Sequence, residues 1–242
     1  AAICLAAAMA AGARRVQLLT LALVGVMVVL VLVAGERSAF IIAVFACSAV
    51  AVGIMVRDKR LRLPCLAAGA VLALAVLALY FSSGWVRART DEGFDKMRHY
   101  AQSDYGQIAT KAVHVGRAHW LHGVGVNGFR GMPADSEDKT VIVQGTHPHN
   151  VYLEWFCEAG VPALLLFLLI LVVLTREAMQ HFRCARGCDA VLPAAALGIL
   201  LQHFFPLVGM QSIFLNWSAM LLWYALAIIF AALPPSARCR AA

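Results

Sequence analysis

Six long apolar stretches, at residues 16–34, 39–56, 64–81, 151–174, 190–208 and 213–233, decide what this chain can fold into. A helix that crosses a bilayer needs roughly 20 mostly apolar residues, and each stretch meets or approaches that length. With 62% of its side chains hydrophobic and only 14% charged, a chain of 242 residues has more apolar surface than a soluble domain would bury. The expected fold is an all-α, polytopic helical membrane protein. It has about six transmembrane helices and one polar stretch carrying a surface amphipathic helix. Residues 1–11 read as the tail of a further apolar helix. With neither an initiator Met nor a charged leader segment, the chain is expected to begin inside a larger protein.

The charges orient the spans. If Arg14 and Arg15 are cytoplasmic, the segments alternate without conflict. The cytoplasmic pieces then hold eleven of the twenty Lys/Arg and three of the thirteen acids, leaving nine Lys/Arg and ten acids outside. That asymmetry is the positive-inside bias. The formal charge of +7 is therefore a topology signal, and no nucleic-acid partner is expected. The chain divides into residues 1–81 (the end of one helix plus three spans), 82–150 (an outer polar loop) and 151–242 (three spans and a cytoplasmic tail). Arg37 falls at the outer end of the first full span, on the same side as the loop.

The seven cysteines avoid the polar loop, so no disulfide framework is expected. Cys184 and Cys188 lack the usual metal or redox spacing. Asp135-Ser136-Glu137-Asp138 reads as a solvated loop. An acidic metal motif of soluble glycosyltransferases would require an α/β nucleotide-binding core, which is missing here. No metal and no cofactor are expected.

Within the loop, Ile108, Ala112, Val115 and Ala118 recur at helical spacing. This predicts an amphipathic helix over 105–121, lying along the membrane surface. His114, His119 and His122 do not share one face of it and read as interfacial polar residues. Gly123-Val124-Gly125-Val126-Asn127-Gly128-Phe129 cannot continue a helix. It follows no strand and opens no βαβ unit, so it reads as a tight turn anchored by Phe129 rather than a phosphate loop.

Thr146-His147-Pro148-His149-Asn150 leads directly into the apolar stretch at 151. Pro148 disfavours helix at His147, and Asn150 is a good N-cap. His149 then sits at a helix N-terminus at the membrane–water boundary. The partial positive charge there lowers its pKa, leaving the neutral imidazole that a general base requires. An interfacial histidine at a capped helix end, or a His-x-His metal pair, would share this spacing.

His149-Asn150, followed after nine residues by Gly160-Val161-Pro162, resembles the signature of the O-antigen ligase family. The likeness extends over His147 to Glu154 and Glu158-Ala159-Gly160. It also includes the glycine turn around Gly125, and Glu36-Arg37-Ser38-Ala39 at the outer end of a span. The resemblance implies an inverting transfer without metal or nucleotide sugar. The donor would be a glycan on undecaprenyl diphosphate, and the acceptor a sugar hydroxyl of the lipid A core. The setting would be membrane lipid, in a bacterial inner membrane, with the active site facing the periplasm. His149 is then the catalytic base and Arg37 the ligand of the donor diphosphate. His147, Asn150, Gly125 and Gly160 support them. The family's second loop arginine has no counterpart in Ser103-Asp104-Tyr105-Gly106-Gln107. Arg98 is the nearest substitute, ahead of Arg117, Arg130 and Lys111.

The same motifs serve glycan polymerases of the family and relatives that glycosylate protein hydroxyls. A transporter or a non-catalytic membrane scaffold is the reading from another class. Transporters break their helices with charge, Gly or Pro near the midplane. Here Pro206 and Gln202 with His203 are the main interruptions of the spans, and the polar residues gather at the outer surface.

Overall fold

A computed structural model describes residues 14–35, 37–57, 59–132, 147–206, 212–214 and 216–232. All regular structure among them is helical. The longer elements are α1 (Arg14–Val33), α2 (Arg37–Arg57), α3 (Arg62–Ser82), α4 (Gly84–Arg98), α5 (Asp104–Ala118), α6 (Val151–Glu154), α7 (Gly160–Cys184), α8 (Val191–Phe204) and α9 (Asn216–Ala232). Four runs are long and apolar enough to cross a membrane: Arg15–Val33, Ala39–Val56, Lys59–Ser82 and Val151–Cys184. Their outward faces carry large aliphatic side chains, with Leu19 70% and Leu63 76% exposed. Water would oppose that surface and acyl chains accept it. The chain is an all-α polytopic membrane protein.

The apolar stretch at 190–208 gives a shorter helix than its length in sequence suggests: α8 has 14 residues. α8 ends just before Pro206, and the freed carbonyls at that end are bonded by side chains. Tyr152 Oη donates to Phe204 O at 2.5 Å, and Asn150 Nδ2 donates to Pro206 O at 2.7 Å. A helix end supplied with partners in this way has no need to extend.

α4 is a helix that periodicity in the polar loop does not announce. Its start is marked by Ser83, whose Oγ accepts the Val86 N–H at 3.3 Å. Arg87 reaches back to the end of α3, donating to Phe81 O at 2.9 Å and to Tyr80 O at 3.4 Å. A guanidinium on the last carbonyls of a helix satisfies orphan acceptors and the dipole together.

Contacts divide the chain into two compact units. The first comprises residues 1–93, 174–203 and 224–242. Its core joins Val24 and Val28 of α1, Val50 and Ile54 of α2, and Val191, Ala194 and Ala195 of α8. Gly198 lets α8 approach α2 closely, since a Cβ there would collide with Val50; small residues at crossings are how apolar helices pack in lipid.

The second unit comprises residues 94–173 and 204–223. α5 forms where the spacing predicts it, but its apolar stripe does not lie against lipid. Ile108, Ala112 and Val115 are buried against Phe129 and Cys157 of the same unit. A second cluster is aromatic: Trp155 stacks on Phe167 at 5.0 Å, Phe214 meets Trp155 edge-on and Phe204 meets Phe167 edge-on.

Candidate active site

α6 begins where Pro148 and Asn150 require. Asn150 Oδ1 accepts the N–H groups of Tyr152 at 3.0 Å and Leu153 at 3.2 Å, so the cap is made. After one turn the helix widens into a π segment, Trp155–Ala159, which Gly160 closes with φ +83°. The widening follows from the sequence around it. Pro162 has no N–H to return to the Glu158 carbonyl four residues earlier. That carbonyl instead accepts the Gly125 N–H at 2.9 Å, and Cys157 O accepts the Val124 N–H at 3.0 Å. In the other direction Val161 N–H donates to Trp120 O at 2.7 Å. The glycine turn and the helix break thus complete each other's backbone hydrogen bonds.

Two glycines permit this approach. Gly123 has φ +65°, and a Cβ on it would strike the Glu158 backbone; a Cβ on Gly160 would lie 2.6 Å from Leu121 O. The turn is further held by Glu158, a buried carboxylate whose Oε2 accepts the Asn127 N–H at 2.8 Å. Phe129 is fully buried, as an anchor must be. Phosphate binding would need the turn's N–H groups, and those of Val124, Gly125, Asn127 and Gly128 are already bonded within the protein.

His149 precedes this helix in a left-handed backbone conformation, φ +54°, which is uncommon outside glycine. Its ring lies 4.0 Å from that of His147, and the Tyr105 ring meets it edge-on at 5.3 Å. Burial, and after it the neighbouring His147, holds the His149 imidazole below its usual 6.5. The direction is the one expected from a helix N-terminus, but loss of water is the leading cause. His147 itself is buried.

The cations are placed as follows. Arg98 is the exposed last residue of α4, in the second unit. Arg117 and Arg130 are also exposed. Lys111 is turned inward, its Nζ 4.7 Å from the Phe129 ring centre, and burial lowers its pKa. In the first unit, Arg37 is the first residue of α2. Two residues before it, Gly35 faces α4: a Cβ there would lie 3.5 Å from Trp85 and 3.6 Å from Arg89 Nε. Arg89 also pairs with Glu92 at 2.8 Å.

A family model described as O-antigen ligase matches residues 1–168, about two thirds of the chain. The chain belongs to the O-antigen ligase family. No curated protein matches it. The matched range spans Arg37, the polar loop and the His149 helix start.

For this O-antigen ligase family member, sequence reasoning missed Tyr105, Arg89 and the two buried carboxylates. Glu154 Oε2 accepts the Ile213 N–H at 3.1 Å, tying residues 212–214 to α6. A carboxylate within an apolar span is the signal that was available for Glu154 and Glu158, since such groups are kept only where they have partners. Nothing in one sequence pairs Arg89 with Gly35. The free thiols among the described residues are Cys47, Cys65, Cys157 and Cys184. The acidic run Asp135–Asp138 lies outside the described residues.

Proposed function

We propose that this chain carries out ligase chemistry: it transfers a glycan from undecaprenyl diphosphate to a sugar hydroxyl of the lipid A core, at the periplasmic face of the bacterial inner membrane. The observation that carries the reading is His149. It is a half-buried imidazole held neutral beside a capped helix start, in a chain of the O-antigen ligase family.

In this mechanism His149 removes the proton of the acceptor hydroxyl as its oxygen attacks the anomeric carbon. The bond from that carbon to the diphosphate oxygen breaks on the opposite side, so configuration inverts. The electron pair leaves with undecaprenyl diphosphate. Diphosphate is a stable leaving group, and charge stabilisation matters more than general-acid help. Arg37 supplies that charge through a guanidinium suited to two-point contact with phosphate oxygens. Arg98 is the second cation by sequence position. The approach of Arg89 to Gly35, two residues from Arg37, favours Arg89 in that role. Asn150, His147, Gly125 and Gly160 keep the base and its helix in place, and no metal enters the reaction.

The test is a transfer assay with purified lipid-linked glycan and lipid A core, comparing the wild type with His149→Ala. Product from the wild type and none from the variant is the expected result. Glycan lengthened on the carrier lipid, with the core untouched, would make the protein a polymerase. Undiminished transfer by His149→Ala would remove His149 from the role of base.

A further inference from the structure

An open groove of about 400 Å³ runs along α5 on the side away from its buried stripe. Tyr100, Gly106, Thr110, Val113, His114 and Arg117 line it. Gly106 lets residues 100–101 close against the start of α5: a Cβ there would run into the Tyr100 carbonyl and the Ala101 backbone. Ser103 fixes the same corner, donating to Tyr100 O at 2.6 Å and accepting the Gly106 N–H at 3.3 Å. From Gly106 to Arg117 is eleven residues, or roughly 16 Å along a helix, long enough for several linked sugars.

The lining has a specific chemistry. Tyr100 is 54% exposed and offers an aromatic face of the kind that stacks on the C–H side of a sugar ring. The Thr110 hydroxyl donates to Gly106 O at 2.9 Å, which leaves its lone pairs free to accept from a ligand hydroxyl. Arg117 is exposed and makes no ion pair among the described residues. The lining contains that cation and no carboxylate, so it favours a ligand bearing an anion. One end of the groove adjoins chemistry: Gly106 follows Tyr105, whose ring meets His149 at 5.3 Å.

We propose that this groove binds the acceptor glycan, with Tyr100 stacked on a sugar ring and Arg117 holding a phosphate or carboxylate carried by that glycan. The assignment to the acceptor rests on the transfer reading above, in which His149 takes its proton from the acceptor hydroxyl.

The experiment measures binding, independently of turnover. The protein is reconstituted in zwitterionic nanodiscs and titrated with a labelled, water-soluble phosphorylated oligosaccharide released from lipid A core. The same sugar without phosphate is titrated alongside. Arg117→Ala is expected to weaken the phosphorylated probe about tenfold, the scale of one charge-assisted contact. The dephosphorylated probe should bind the wild type at that weaker level and lose nothing further in the variant. Tyr100→Ala should weaken both probes. Arg117 is at the surface, and an unchanged melting temperature would show that its variant is folded. Equal affinity of wild type and Arg117→Ala for the phosphorylated probe overturns the proposal. So does competition by phosphatidylglycerol added to the discs, which would make the groove a lipid headgroup site. Probe binding as expected, in a protein that transfers nothing, would overturn the ligase reading and leave the groove standing. Transfer with no Arg117 dependence of binding would do the reverse.

Discussion

Gly125 donates its backbone N–H to the Glu158 carbonyl at 2.9 Å, taking the bond that Pro162 is chemically unable to make. A turn in the polar loop is thereby fastened to a break in a membrane helix. This fastening predicts an order of glycine sensitivity. Gly123→Ala and Gly160→Ala place a methyl group against backbone atoms, at Glu158 and Leu121, and both positions have positive φ. Each is expected to prevent stable folding or to lower the melting temperature sharply. Gly125→Ala has nothing within 4 Å of the new methyl and suffers only from its φ of +87°, a cost of about 1–2 kcal/mol. Thermal melting in detergent checks the order, and a Gly125 variant as damaged as the Gly123 one would refute it.

The acid limb of the activity profile reports on His149. In the proposed mechanism the neutral imidazole is the active form, so activity is lost as pH falls through its pKa. Because that pKa lies below the usual 6.5, half-activity is expected on the acid side of 6.5. His147→Asn removes the like charge that is the second cause and leaves burial in place. The limb should move to higher pH without passing the ordinary histidine value. A profile of kcat/KM for both proteins decides it, and a shift to lower pH would contradict the assigned cause.

Tyr105 meets His149 with its ring and is otherwise exposed. Tyr105→Phe should retain most activity, because an edge-on aromatic contact needs the ring and not the hydroxyl. Tyr105→Ala is expected to lower kcat roughly fivefold, the scale of about 1 kcal/mol for one aromatic contact, with little change in donor KM. Equal loss in both variants would instead assign the effect to the hydroxyl.

Arg37→Ala should abolish transfer. Arg89→Ala should raise the donor KM or depress kcat by about 10–100-fold, the range for a hydrogen bond to a charged group. Arg98→Ala should do less than Arg89→Ala. The reverse ranking would return the second diphosphate contact to the end of α4.

Chelation should leave transfer unchanged. Activity lost to EDTA and restored by one divalent ion would point to Asp135, Glu137 and Asp138, or to the His147–His149 pair.

Much of this was legible in the chain alone, for local reasons. Apolar runs of bilayer length make helices wherever they occur, because backbone groups in lipid can be satisfied only within the helix. The start of α6 was equally local: a proline that bars helix before it and an asparagine whose own side chain caps the next N–H groups. The candidate site residues could be named from these signals and from the likeness around His149, Arg37 and Gly160.

Three things required the tertiary structure. The stripe of α5 has a period that reveals an apolar face but not what covers it, and the cover is Phe129 and Cys157 rather than lipid. The π segment arises because Pro162 withholds one donor while Gly125, 37 positions earlier, supplies another; neither half is visible without its partner. The approach of Arg89 to Gly35 and the ring contact of Tyr105 with His149 likewise join residues more than forty apart. By itself the sequence determined the apolar helices and the cap that starts α6, since each depends on neighbours within a few residues. Which distant backbone satisfies a broken helix, and which ring stands against His149, only the folded chain decided, because those contacts depend on which segments packing brings together.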